Sequence, residues 1–131
     1  SANFEERRWV GWTAAGGAFG AAPARVRRGG MQGQGIVHGR RKARGTLTSA
    51  PVPVQGEALT FLVGGRGGRT GVRVRLGDRV IARWPHRSRR GQLTRVRLEL
   101  PPEARGQAVT IQVFDDDPKG DLWLDDLRWQ G

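Results

Sequence analysis

The hydrophobic positions of this 131-residue chain come in short runs, and most runs alternate with polar residues at a period of two. Val72-Arg73-Val74-Arg75-Leu76 shows it best, followed by Gly77-Asp78 and a return over Arg79 to Trp84. Alternation sends successive side chains to opposite faces of a strand, and a Gly-Asp break between two such runs predicts a hairpin. A strict two-residue turn would put Val80 and Ala82 on the face of Arg73 and Arg75. Val96, Leu98 and Leu100 alternate with Arg95, Arg97 and Glu99 until Pro101-Pro102 stops the run, and Val109, Ile111 and Val113 share one face. Leu59-Thr60-Phe61-Leu62-Val63 is apolar on both sides, as a fully covered strand would be. Gly35 to His38 and Gly45-Thr46-Leu47-Thr48-Ser49 are shorter candidates, the second ended by Pro51 and Pro53. Ala14 to Ala24 is alanine-rich but broken by glycines and Pro23, so it reads as a loop. Gly64 to Arg69 and Pro85 to Gly91 also read as loops. No segment sustains a 3.6-residue period with caps. About eight or nine short strands between Gly/Pro-rich loops predict an all-β jelly-roll or sandwich domain with little helix.

The last candidate strand, Leu122-Trp123-Leu124-Asp125-Asp126-Leu127-Arg128-Trp129, is apolar enough for a core yet has two carboxylates at its centre. Alternation points Asp125 and Asp126 to opposite faces, and an enclosed carboxylate needs a cation or several donors. Two solutions are open: a bulge whose carboxylate is tied to backbone N–H groups or an arginine, or a structural Ca²⁺ site drawing oxygens from separate parts of the chain. Glu5, near the other terminus, is the natural second carboxylate for the latter.

Charge adds a partner to this picture. Lys and Arg number 23 against 12 Asp and Glu, for a net charge of +11, and Lys42 and Lys119 are the only lysines. Arginine suits two-point recognition of phosphate, sulfate or carboxylate, although a genome rich in G and C gives the same bias. Arg40 to Arg44, Arg66 to Arg69 and Arg87 to Arg90 follow three different strands, whose loops can gather at one end of a sandwich. Cysteine is absent, and no apolar run is long enough to span a bilayer. Two histidines, each beside an arginine-rich loop, are too few for a zinc site, and no serine sits in a nucleophile-elbow context. Gly64 to Gly68 lacks the Lys-Ser/Thr of a phosphate-binding loop. These observations argue against an enzyme.

Taken in order, the motifs resemble the galactose-binding-like jelly-roll domains found beside glycoside hydrolases, levanase-type fructan hydrolases above all, and in large extracytoplasmic bacterial proteins. The resemblance rests on Asn3-Phe4-Glu5, Gly11-Trp12, Gly17-Ala18-Phe19-Gly20, His38-Gly39, Gly45-Thr46-Leu47-Thr48-Ser49, Phe61-Leu62-Val63-Gly64-Gly65 and Leu124-Asp125-Asp126-Leu127. It implies a non-catalytic module with adjacent termini and a structural Ca²⁺ held by Glu5 and Asp125, with backbone carbonyls from the loop around Gly17 to Gly20. Two departures bear on the ligand. Arg40 and Arg41 stand where such domains commonly carry Gly and an acidic residue, and Pro118-Lys119-Gly120-Asp121 replaces a Gly-Trp-Gly-His segment.

The expectation is therefore a carbohydrate-binding or cell-surface interaction module for an anionic glycan, extracytoplasmic, monomeric as an isolated domain and not inserted in a membrane. A basic nucleic-acid-binding domain is the alternative. The ligand is expected on a loop end built from His38, Arg40, Arg41, Arg66 and Arg87, away from Asp115 to Asp117, with Trp12 and Trp84 in the core. Ser1-Ala2 reads as a cloning remnant, which leaves residues 3–130 as one domain cut from a longer protein.

Overall fold

The computed structural model describes residues 12–17, 19, 24–25, 35–39, 44–65, 67–88, 93–116 and 122–131; for 24–25, 35–39, 67–68 and 86–88 the backbone alone is described. The strands are β1 (Trp12–Gly16), β2 (Ala24–Arg25), β3 (Gly35–Gly39), β4 (Gly45–Ser49), β5 (Val52–Pro53), β6 (Ala58–Gly64), β7 (Gly67–Leu76), β8 (Arg79–Ser88), β9 (Thr94–Glu99), β10 (Ala108–Asp115) and β11 (Leu122–Gln130). One sheet runs β1-β4-β10-β7-β8, with β5 attached to β10; the other runs β2-β3-β11-β6-β9. Every pairing is antiparallel. Among the described residues there is no α-helix, only a 3₁₀ turn at Pro102–Ala104, and no helix long and apolar enough to cross a membrane. This is the all-β sandwich that the alternation predicts.

The core lies between the sheets and takes alternate residues from each strand, with the parity switching at the irregularities of β8 and β11. Leu59, Phe61 and Val63 of β6, Val72 and Val74 of β7, and Val109, Ile111 and Val113 of β10 point into it. Leu47, Leu122 and Leu124 complete its fully buried centre. Each such aliphatic or aromatic side chain contributes roughly 1.5–3 kcal/mol relative to full exposure. Trp84 packs edge-on against Phe61, with ring centroids 5.5 Å apart, and Trp12 lies half-buried against the same core. Both tryptophans therefore serve packing, as expected. Leu62, Leu93 and Trp123 form a second, smaller cluster on the other side of the β6–β11 pair.

Three local expectations are corrected by pairing. Ala14 and Ala15, read as loop, belong to β1, which is in register with β4 from Trp12↔Ser49 to Gly16↔Gly45. Their small side chains offer little strand propensity, but the neighbouring strand supplies the hydrogen bonds that decide the conformation. Likewise β7 begins at Gly67 and β8 continues to Ser88, so the loops predicted around them are shorter. Finally, the hairpin is not in strict register. Val74 pairs with Ala82 while Arg75 pairs with Val80, so Ile81 is the extra residue of a β-bulge. The bulge turns Ala82 and Trp84 inward beside Val74 and Val72. It leaves Val80, 40 % exposed, with Arg75 outside.

Candidate functional site: an arginine-lined cleft

The outer face of the six-stranded sheet is built from the residues that alternate against its core. Thr48 of β4, Gln112 of β10, Arg73 of β7 and Arg83 of β8 stand side by side across four strands. The Gln112 amide Nε2 donates to Thr48 Oγ1 at 2.8 Å, and its Oε1 accepts from Arg73 Nε. The next row holds Thr46, Phe114, Gly71 and Pro85. Gly71 gives the aromatic ring its room: a Cβ there would lie 3.0 Å from Phe114 Cζ and 2.2 Å from the Trp84 carbonyl oxygen. Phe114 is only 4 % exposed, because the guanidinium carbons of Arg73 and Arg83 sit 4.7 and 5.3 Å from its ring centre. Each cation–π contact of this kind is worth about 0.5–1 kcal/mol at a partly exposed site.

This arrangement sets like charges directly opposite each other, which ordinarily destabilises a strand pair. Desolvation, followed by repulsion from Arg75 and Arg83, lowers the Arg73 pKa from its usual value, against a smaller opposing pull from Asp116. No carboxylate among the described residues lies within ion-pair distance of Arg73, Arg75 or Arg83. The Arg75 Nε is buried without a hydrogen-bond acceptor. Beside these residues opens a cleft of about 470 Å³, within the range of small-ligand sites, lined by Thr46, Arg69, Arg73, Arg83, Phe114 and Asp116 among others. Arg69 turns the chain with a positive φ of 51°, and its carbonyl accepts from the Asp116 N–H at 2.9 Å. Asp116 itself lies 3.8 Å from the exposed Arg44, a pair that holds little energy in water. Chemically, the cleft offers planar cationic donors for an oxyanion, with a hydroxyl and a carboxylate at its rim.

The outer face of the five-stranded sheet treats charge differently. Between Asp125 and Arg128 the register of β11 against β6 slips by one residue, and Asp126 adopts φ 52°. The extra residue switches the inward parity from Leu122 and Leu124 to Leu127 and Trp129. Asp126 is 4 % exposed and is gripped by Arg128 Nε at 2.7 Å and by Arg95, whose other guanidinium nitrogen donates to the Asp126 carbonyl at 3.1 Å. Burial opposes its charge, but hydrogen bonds from Arg95 and Arg128 outweigh that cost and hold the carboxyl below the usual carboxylate range. The arginine-tied bulge is thus the state of Asp126. Asp125 is wholly enclosed, at 0 % exposure. Glu5, its expected partner on Ca²⁺, lies outside the described residues, and no group of three metal-ligating side chains occurs among those described.

Of the expected ligand-binding residues, Arg40, Arg41 and Arg66 also lie outside the described residues. His38 and Arg87 fall within β3 and β8 rather than in loops. The strand ends beside all five meet at one end of the sandwich. Gly39 pairs next to Trp123, which faces Gly64, and Gly67 pairs with Ser88. The cleft is at this end too, since Asp115 pairs with both Thr70 and Gly45. Sequence reading noticed Arg73 and Arg75 on one strand face but not the part played by Phe114 or Arg83. The available signal was the cross-strand row that follows once β10 is known to lie beside β7. Asp115 and Asp116, from which the ligand is expected to lie apart, are among the residues that line this cleft, because β10 ends between β4 and β7.

No protein-family model and no curated protein matches this sequence. Solved structures do match its fold. A carbohydrate-binding module from the β-sandwich superfamily, studied for promiscuous specificity, is 15 % identical with a TM-score of 0.66; the match covers 99 % of this chain and 61 % of that one. The chain thus spans about three-fifths of that protein's length. A cleaved adhesin domain of Lys-gingipain from Porphyromonas gingivalis is 16 % identical with a TM-score of 0.66, covering 98 % of this chain and 96 % of that one. A cyclase from Fischerella sp. TAU, solved with an indolyl butanone, is 16 % identical with a TM-score of 0.58, covering 97 % and 92 %. At these identities the likeness is one of architecture alone, that of a jelly-roll β-sandwich.

Proposed function

We propose that the protein is a non-catalytic carbohydrate-binding module of a larger extracytoplasmic protein and that its ligand is an acidic glycan. The observation that carries this reading is the cluster of guanidinium groups around Phe114, lining a cleft at one end of the sandwich. Carbohydrate-binding and adhesin domains of the same fold support it, while the cyclase of that fold keeps fold alone from deciding. In this reading His38, Arg40, Arg41, Arg66 and Arg87 extend the binding surface beyond the cleft. Each exposed arginine contact is weak and screened by salt, so affinity comes from several acting together. The isolated domain is monomeric.

A structural Ca²⁺ belongs to the same proposal. Asp125 is a fully enclosed carboxylate on a distorted strand, an environment that demands a cation or several donors. Asp125 and Glu5 would hold the ion, which would tie the last strand to the N-terminal segment without taking part in binding. A melting midpoint unchanged by chelator would remove it.

The test of function sets a glycan array beside a nucleic-acid shift assay, because a net charge of +11 suits a nucleic-acid partner equally well. Binding to acidic glycans that weakens in the Arg40→Ala, Arg66→Ala double variant is the expected result. Tight, salt-sensitive binding to duplex or single strands with no glycan hits would reverse the assignment.

A further inference from the structure

We infer that Arg73 and Arg83 form a two-guanidinium clamp, seated on Phe114, for a single carboxylate or sulfate group of a sugar, and that the neighbouring Thr46 and Asp116 take that sugar's hydroxyls. The clamp rests on the acidic-glycan reading above and assigns it a place on the sheet face. Three independent features point to an oxyanion between these arginines. They are directly opposed in register, a placement whose repulsion an anion lying between or above them would relieve. Both are held in position before any ligand arrives, Arg73 by Gln112 and the Phe114 ring, Arg83 by the same ring. Such preorganisation lowers the cost of binding. And the two arginines border an open cleft in which no described carboxylate comes within ion-pair distance of either, Asp116 on its rim attracting Arg73 only from farther off.

The rim distinguishes a sugar acid from a nucleic-acid backbone. Asp116 is exposed and acidic, whereas Asp115 beside it is wholly buried. A run of phosphates would be repelled there, whereas neutral sugar hydroxyls can donate to a carboxylate and exchange hydrogen bonds with Thr46. The site therefore suits one anionic group flanked by hydroxyls, as on a hexuronate or a sulfated hexose.

The experiment titrates the wild-type chain and the Arg73→Gln, Arg83→Gln and double variants with oligogalacturonate, a sulfated galactan fragment, a neutral galactan fragment and an oligonucleotide, at low salt. Arg97→Gln, on the other sheet and paired with Glu99, is the charge-matched control. The expected result is that each single variant weakens the acidic saccharide about tenfold, with the control close to wild type. Whichever acidic saccharide binds names the anion as carboxylate or sulfate. A second reading comes from melting: Arg83→Gln should leave the midpoint close to wild type, because the repulsion it removes offsets the contact it loses with Phe114, whereas a merely structural arginine would lower it. Acidic-saccharide binding that survives in the double variant overturns the clamp and leaves the glycan reading standing. If no saccharide binds, yet acetate or inorganic sulfate stabilises wild type and not the double variant, the anion clamp stands and the glycan reading falls. Oligonucleotide binding lost in the double variant, with no saccharide bound, overturns the assignment to a sugar acid.

Discussion

The two outer sheet faces of this domain are both rich in arginine, yet they use it in opposite ways. On the five-stranded sheet, Arg95 and Arg128 converge on one buried carboxylate, so charge is consumed within the fold. On the six-stranded sheet, Arg73 and Arg83 face each other over an aromatic ring, and charge is left unspent. A cation that closes on a buried anion is needed by the fold, because removing it leaves the carboxylate desolvated and without a partner, while the arginines themselves stay partly in water. Two cations placed together cost stability and are worth having only for what they bind. Composition alone cannot separate the two uses; the position of one aspartate does.

The comparison can be broken at several points. Gly71→Ala should be the most damaging change, at about 3 kcal/mol in denaturant unfolding, since the new Cβ would strike the Trp84 carbonyl and crowd Phe114. It should also displace the ring that seats both arginines, so any surviving folded protein should bind acidic saccharide poorly. Asp126→Ala should follow, at about 2–3 kcal/mol, combining the lost arginine hydrogen bonds with the poorer tolerance of Ala than of Asp for positive φ. Asp126→Asn should cost less, because Asn tolerates that backbone better. Arg95→Ala should cost about 1 kcal/mol, tempered by its partial exposure and by Arg128, which remains. Arg83→Gln should change stability by no more than about 0.5 kcal/mol in either direction, since relief of repulsion offsets the lost contact with Phe114. Should Arg83→Gln destabilise as much as Arg95→Ala, the two faces would not differ as argued.

The pH dependence sharpens the same contrast. Asp126 has a folded pKa below its unfolded one, so its contribution is complete above the unfolded carboxylate pKa and disappears as pH falls through the depressed folded value. Acid titration of the wild-type melting midpoint should therefore show a loss in the acid range that Asp126→Asn flattens. Arg83→Gln should leave that acid limb unchanged.

Much of this fold was legible in the chain. Alternation in Val72 to Leu76, Leu93 to Leu100 and Ala108 to Phe114 marks strands and their inward residues, because a strand's period of two is a local property. The apolar run over Leu59 to Val63 likewise marks a strand covered on both sides, and the ordered motifs anticipate the jelly roll. The dilemma posed by Asp125 and Asp126 was legible as well, although not its solution.

What the sequence by itself determined is thus the identity of the strands, the parity of the core and the excess of arginine. Only the tertiary structure decided which arginines would be neutralised and which would face a cleft. Two single-residue bulges did much of this. One in β8 moved Ala82 and Trp84 into the core and left Arg83 opposite Arg73; the other in β11 turned Asp126 toward Arg95. Bulges and strand order depend on long-range pairing: Gln112 and Arg73 are 39 residues apart, and Arg95 and Asp126 are 31 apart. No local pattern encodes such neighbours, because hydrogen bonds between strands and the packing of whole faces select them together.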